Sequence, residues 1–265
     1  AVNLYPLPCF HVGARQSDRL FIEGHLARIA ADPLAKWVYM GDGGECVTYL
    51  SKGVIYQQVY SPQTQMEVLV KLLRPLKDKG LFMIRGNHGG RIFKESGLSF
   101  DKNLALVLGL PYLGVEAFVN LVVNRTHYDL FFHHGVDSGV SLQTKTNKAE
   151  QFSKYISSDA IFTAHSHVGM ELPPAPLKYL DNYTMKIKTL LRYQYICGSG
   201  YDSRSGYAQD KGYTPLLPQF IMVSFSGERT SKQSIKGQQY RRWHSDGTHE
   251  VNGVYSQAQH LGEEE

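Results

Sequence analysis

Five short segments concentrate side chains that can ligate a metal or move a proton. They are Cys9-Phe10-His11, Gly41-Asp42-Gly43-Gly44-Glu45, Gly86-Asn87-His88, His133-His134-Gly135 and His165-Ser166-His167. Imidazole, carboxylate and amide oxygen together suit divalent Mn, Fe, Zn or Co better than Ca or Mg. More donors are present than one tetrahedral ion needs, so two ions sharing a bridging carboxylate is the economical reading. Two ions about 3.5–4 Å apart clamp a phosphate, lower the pKa of a bridging water and stabilise both attacking and leaving oxygens. A histidine nearby that is not a ligand could protonate the leaving alkoxide.

These segments each follow a run that reads as a strand. The runs are Leu4 to Phe10, Trp37 to Met40, Leu81 to Ile84, Tyr128 to His133 and Asp159 to Ala164, with a further strand at Val115 to Val123. Between them lie helical patterns: Asp18 to Ala31 with Leu20, Ile22, Leu26 and Ile29 as its apolar face and Ser17 as N-cap, then Met66 to Leu73 ended by Pro75. Ser99 caps a third helix near Asn103 to Leu108, closed by Gly109, and a fourth runs from about Lys148 to Ile156. Asn124-Arg125-Thr126-His127 reads as a hairpin, so the alternation predicts an α/β fold with a mixed sheet. In such sheets ligands bind beyond the carboxyl ends of the strands, where these segments fall. Pro173-Pro174-Ala175-Pro176 is expected to break regular structure, with strands resuming at Thr184 to Cys197 and Phe220 to Phe225. The main domain is expected over 1–227, and the polar residues 228–265 as a tail that is peripheral or waits for a partner.

The order x-x-H, G-D-x-x-E, G-N-H, H-G and H-x-H, spread over about residues 7 to 170, resembles the calcineurin-like metallophosphoesterases. Tyr195 to Ser199 and Tyr207 to Pro215 resemble the C-terminal part of phage-encoded members. The resemblance implies a four-layer α/β/β/α sandwich around a dinuclear centre of divalent ions, Mn foremost, with Fe, Zn or Ni as alternatives. It implies that His11, Asp42 and His167 hold one ion, that Asn87, His134 and His165 complete the second, and that Asp42 bridges. His88 becomes the general acid and Glu45 a support behind the ligands. The implied reaction is hydrolysis of phosphodiesters, in nucleic acid or nucleotides.

Two positions depart from that pattern. Cys9 stands where the family has Asp, which leaves the first ion weakened, exchanged for a softer one, or absent. Gly89 stands where an acid usually follows G-N-H and orients the catalytic imidazole. A second reading follows: a degenerate module of the same fold with a binding or structural role, for instance in a phage particle. Cys9 itself reads either as a ligand or as a small buried apolar residue. His133 competes with His134 for one ligand role, and His134, next to Gly135, is preferred. Arg85, Arg91 and Lys94 either steer phosphate or form a solvated basic face.

Composition narrows the class. The 265 residues are 42% hydrophobic and 20% charged, which excludes wholesale disorder and fibrous repeats. A net charge of +4 tolerates an anionic partner without requiring one, and Arg241-Arg242-Trp243-His244 suits a single nucleic-acid strand or plain solvation. No apolar run approaches the roughly 18 residues of a membrane span. Three Cys without a C-x-x-C, and an opening Ala1-Val2-Asn3-Leu4-Tyr5 unlike a signal peptide, favour a reducing compartment: the cytoplasm, a host's cytoplasm for a phage protein, or alternatively the virion. Five of the eleven His (His11, His88, His134, His165 and His167) fall on the motif positions of the strand-end segments with His133 adjacent, and His25, His127, His244, His249 and His260 are expected at the surface.

Overall fold

The computed structural model describes residues 1–51, 53–136, 139–228, 235–242 and 249–255. Its first half runs β1 (Val2–Leu7), α1 (Arg19–Ala31), β2 (Ala35–Tyr39), α2 (Pro62–Leu73), β3 (Gly80–Met83), α3 (Gly89–Ser96) and α4 (Phe100–Leu108). There follow β4 (Glu116–Val123), β5 (Thr126–His133), α5 (Leu142–Gln151), β6 (Ala160–Thr163), β7 (Gly169–Asp181) and β8 (Lys186–Ser199). β9 (Gln219–Phe225), β10 (Ile235–Arg242) and β11 (His249–Tyr255) complete the chain.

The sheet has the order β3-β2-β1-β9-β8-β6-β5-β4, with β7 on β8, and β10 on β9. β1, β2 and β3 are mutually parallel, as are β5, β6 and β8. The two sets are joined by two antiparallel pairings, β1 with β9 and β9 with β8. Two reversals restore the direction, so β1, β2, β3, β5 and β6 all point the same way. Their carboxyl ends therefore open on one edge, and the five ligand-bearing segments leave the sheet together.

The mixed α/β class is as the residues predict. The sheet is continuous through β8 and β9, and it curls so that its two flanks face each other over one apolar core. Leu4, Val38 and Phe82 from one flank meet Tyr128, Phe132 and Phe162 from the other, and the Phe82 and Phe132 rings lie 5.1 Å apart edge to face. On the outside of the first flank, α1, α2 and α4 pack Phe21, Ile22, Leu69 and Leu104 against Tyr5, Leu7, Trp37 and Tyr39. Phe152 and Ile156 cover Phe131 and Ile161 on the second flank.

Several expectations are corrected. α1 is capped by Asp18, whose side chain accepts from the Phe21 amide, because the Ser17 hydroxyl is spent on the Phe10 carbonyl. Leu20 is exposed, and the buried face of α1 is Phe21, Ile22, His25, Leu26 and Ile29. His25 is thus a core residue, set edge-on to Tyr5 and 4.6 Å from the Phe220 ring. The proline run does not break the chain: β7 passes through it. Among the described residues β7 pairs only with β8, so its outer edge needs no amide donors, and the register shifts between Leu172 and Ala175 where two prolines stand. α3, which starts directly after Gly86-Asn87-His88, has no counterpart among the expected helices. β10 pairs along β9 from Ile235 to Arg241, and Ile235 enters the shared core, so this part of the polar stretch borrows a core it could not build. Trp243, His244, His260 and residues 256–265 lie outside the described residues. Among the described residues no helix is long and apolar enough to cross a membrane.

Candidate metal centre

The ligand-bearing loops hold unusual backbone. Of the eight non-glycine residues with positive φ among the described residues, five are Cys9, His11, Asp42, His165 and His167. Each costs of order 1 kcal/mol or more, and surroundings that over-determine them keep them in place. The loops lock one another: Cys9 N–H donates to Gly41 O, His11 N–H to Asp42 O and Gly200 N–H to Cys9 O. Gly86 is equally constrained, because a Cβ there would stand 2.1 Å from Asp42 Oδ1.

His134 shows what the arrangement does chemically. Its Nδ1 lies 2.6 Å from the Met40 carbonyl, which can only accept, so the proton sits on Nδ1. The lone pair of Nε2 then faces Asn87 Oδ1 at 3.0 Å and Asp42 Oδ2 at 2.9 Å. Asp42 Oδ2 is buried and receives no well-directed hydrogen. Three acceptors thus crowd one point, which a proton or a cation must satisfy. Without a cation the proton wins: burial opposes charge on His134, but Asp42 outweighs it and raises the pKa. Burial likewise opposes charge on Asp42, yet His134, His88 and His11 hold its carboxyl well below the usual range.

A second convergence lies beside the first. His11 Nδ1 is 2.8 Å from Glu45 Oε2, which fixes the ring and turns Nε2 toward His167 Nε2 at 2.9 Å. Two imidazole nitrogens this close share a proton or face a common ion. Burial first, then His11, keeps His167 neutral, the form that ligates. Cys9, fully buried, belongs to both groups: its Sγ lies within 4.8 Å of the donors of His11 and His167, and within 4.8 Å of those of Asp42 and His134. Burial and Asp42 push its thiol pKa well up, so it stays protonated unless a cation draws the proton off. The donor set therefore fits divalent transition metals, with sulfur favouring a softer ion in the shared position. His165 is looser. Its ring lies 5.3 Å from that of His134, and burial, then His134, lowers its pKa to about 4.

Around this cluster the remaining residues divide. His88 donates its backbone N–H to Asp42 Oδ1 at 2.8 Å, and its ring packs 4.6 Å from His11. Glu45 meets His11 and, at 3.4 Å, His88, while Arg91 bonds Glu45 and stands 3.3 Å from His88 Nε2. His133 faces away, its ring tilted against Phe152 at 4.9 Å and accepting from Gly135 N–H, as the alternation of a strand requires. Arg91 lines the cleft but Arg85 does not: Ile84 enters the core and Arg85, next along an extended chain, turns out to solvent.

Gly89 has a structural counterpart that the sequence does not reveal. Asp101, buried on α4, places Oδ2 2.7 Å from where a Cβ at Gly89 would stand. Its carboxylate accepts from Gly86 N–H at 3.2 Å and from the Tyr39 hydroxyl at 2.8 Å. Tyr39 in turn accepts from Gly43 N–H. Asp101 thus ties the loop of Asp42 to the loop of Asn87 and His88, from a position twelve residues beyond Gly89. Burial raises its pKa to about 6, against the hydrogen bond from Tyr39 and with the charge of Asp42. Since the unfolded carboxyl ionises near 3.8, the folded chain binds more protons between these values, and Asp101 withdraws stability as pH rises through that window. The withdrawal is on the order of 3 kcal/mol at neutrality. Asp101→Asn cannot ionise, so its thermal midpoint gains on wild type between pH 4 and pH 7. Parallel pH profiles would show instead that the carboxyl is already charged at pH 4.

A cleft of about 520 Å³ opens over the cluster, lined by His11, Asn87, His88, Arg91, His165 and His167, by Val54 and Gln58 on one side and by Tyr201, Tyr213 and Leu216 on another. Tyr201 packs against both His11 and His167. Lys145 and Tyr201 line this cleft without belonging to any spaced motif, and Ser166 enters it from between His165 and His167.

The curled mixed α/β sheet carries its ligand cluster at one edge. No family model and no curated protein matches the chain. Among solved structures, a double mutant of Vps29 from Entamoeba histolytica matches with a TM-score of 0.52 at 13% identity, covering 96% of this chain and 100% of that one. Yfce, a phosphoesterase from E. coli, matches with 0.47 at 13% identity, covering 97% and 100%. Vps29 from Chaetomium thermophilum gives 0.48 at 12% identity, covering 97% and 98%. At 13% identity the likeness to the first of these speaks for the fold alone.

Proposed function

We propose that this chain is a metal-dependent phosphoesterase that hydrolyses phosphodiesters of nucleotides or nucleic acid. The observation that carries the reading is the convergence of His134 Nε2, Asp42 Oδ2 and Asn87 Oδ1 on one point that a proton or a cation must satisfy, with Asn87 lining the cleft. His11, His167 and Cys9 supply a second ligand group, and Mn heads the candidate ions, with Fe, Zn or Ni behind it. Divalent ions bound there would polarise a phosphoryl oxygen and supply a nucleophilic water. The cytoplasm, or a virion for a phage protein, and a protein partner for the C-terminal stretch belong to the same proposal.

The protein groups around that chemistry have distinct tasks. His88 Nδ1 lies 3.0 Å from the Glu45 carbonyl and so carries a proton, which leaves Nε2 as the atom that gains and gives up the second. Burial opposes that second proton, but Asp42 and then Glu45 raise the His88 pKa and keep it on the ring. His88 is thereby equipped to protonate a leaving alkoxide, and Arg91 then donates to the vacated Nε2. Glu45 holds His11, His88 and Arg91 in mutual register.

Purified protein is expected to carry bound Mn, Fe, Zn or Ni and to hydrolyse bis-p-nitrophenyl phosphate with added Mn. Absence of both sinks the proposal. Asp42→Asn, which keeps shape but removes the charge shared by three imidazoles, should lower that hydrolysis by about a hundredfold or more and cut metal content. The second reading, a non-catalytic module of this fold, is favoured by the thiol at Cys9. It predicts metal binding with no turnover in wild type.

A further inference from the structure

Two buried donors in the cleft have no acceptor among the described residues. Lys145, on α5, is only 6% exposed and lines the cleft together with Gly135, His165, Ser166 and His167. Among the described residues no hydrogen bond or ion pair engages its ammonium, and burial alone lowers its pKa. Ser166, 8% exposed, has its hydroxyl buried and unbonded. The two residues meet again in a smaller recess lined by Gly135, Ala149 and Ala164. Lys145 is close enough to His167 for its charge to add to burial and the neighbouring imidazoles in lowering that pKa. Arg91 offers no substitute, because its guanidinium is engaged by Glu45 across the cluster.

A buried ammonium without a carboxylate is costly unless an anion completes it. Ser166 lines the same cleft and recess as Lys145, so a hydroxyl donor and an ammonium both face an anion that enters there. We propose that Lys145 Nζ and Ser166 Oγ form a phosphate-binding subsite on the His165–His167 side of the cluster. Its place in catalysis rests on the phosphoesterase reading; its affinity for phosphate does not. The oxygens it takes belong either to the group being hydrolysed or to a second phosphate of the same substrate.

The test uses the full chain stripped of metal by chelation and titrated calorimetrically with inorganic phosphate at low salt. Wild type is expected to bind, Lys145→Gln to bind about tenfold or more weakly, Ser166→Ala several-fold more weakly, and Lys145→Arg within about threefold of wild type. Circular dichroism checks that each variant is folded. Equal affinity of wild type, Lys145→Gln and Ser166→Ala, or an Arg variant as weak as Gln, overturns the subsite. Parallel titrations with a nucleoside monophosphate and diphosphate separate the two sources. A loss equal for both assigns the reacting group, and a loss confined to the diphosphate assigns a second phosphate. Because metal is absent throughout, a chain that hydrolyses nothing can still pass, and one that hydrolyses diesters can still fail.

Discussion

Replacing Gly89 with Asp lowers the stability of this protein and does not improve its catalysis. A comparison of motifs suggests the opposite, since an acid commonly follows G-N-H in the family this chain resembles. The space is already taken. Any Cβ at residue 89 meets Asp101 Oδ2 at 2.7 Å, with Asp101 Cγ and Phe100 Cβ at 3.4 Å. The new carboxylate would also share a buried pocket with one whose pKa already stands near 6. Overpacking costs 1–3 kcal/mol, and an unpaired buried carboxylate adds to it, so a loss of roughly 3 kcal/mol or more is expected. For a chain of this size that is a fall of about 6–12 °C in thermal midpoint. Because Asp101 ties together the loops of Asp42 and His88, hydrolysis should fall with it. Combining Gly89→Asp with Asp101→Ala is expected to recover at least half the lost stability, since the second change frees the space and removes the like charge. A Gly89→Asp protein as stable as wild type and faster would show that Asp101 does not stand in for the missing acid.

Cys9→Asp is the other change with a large effect, and its sign depends on metal. The thiol is fully buried and neutral, within 4.8 Å of the donors of Asp42 and His134. Aspartate there tolerates the left-handed backbone, φ 52° at Cys9, better than most residues. It also sets a second carboxylate beside Asp42. Metal-free protein should therefore lose roughly 2–3 kcal/mol, seen as a lower midpoint after chelation. Added Mn binds the folded state alone and gains a hard oxygen ligand, so by mass action it raises the midpoint of the variant more than that of wild type. Equal Mn-induced shifts in the two proteins would place residue 9 outside the ligand set.

These two positions also show what can be read without coordinates. The residue types at 11, 42, 87, 88, 134, 165 and 167 stand out in the sequence because imidazole, carboxylate and amide at successive strand ends are the donors a metal site would need. The strands themselves are legible from short apolar runs, and most structured boundaries fall within a few residues of those expected. Asp101 is not legible, because a lone Asp in the first turn of a helix is commonplace and its partners, Tyr39 and Gly86, lie 62 and 15 residues away. Gly89 carried the only hint, as the smallest residue at a position where a larger one was expected. His25 misled in the same way: imidazole reads as polar until Tyr5 and Phe220 enclose it.

What the residues alone determined was the inventory of donors, their order along the chain and the strand-loop alternation that presents them. Those depend on local chemistry and on periodicities of two and of 3.6 residues, which any stretch of chain carries within itself. What only the tertiary structure decided was which donors meet. The two reversals through β9 align five strand ends on one edge, the curl of the sheet brings residue 11 to within 2.9 Å of residue 167, and the close approach of Asp101 excludes a side chain at Gly89. The reason is that burial and strand pairing act between segments far apart in sequence, and no local pattern encodes the distance across a core.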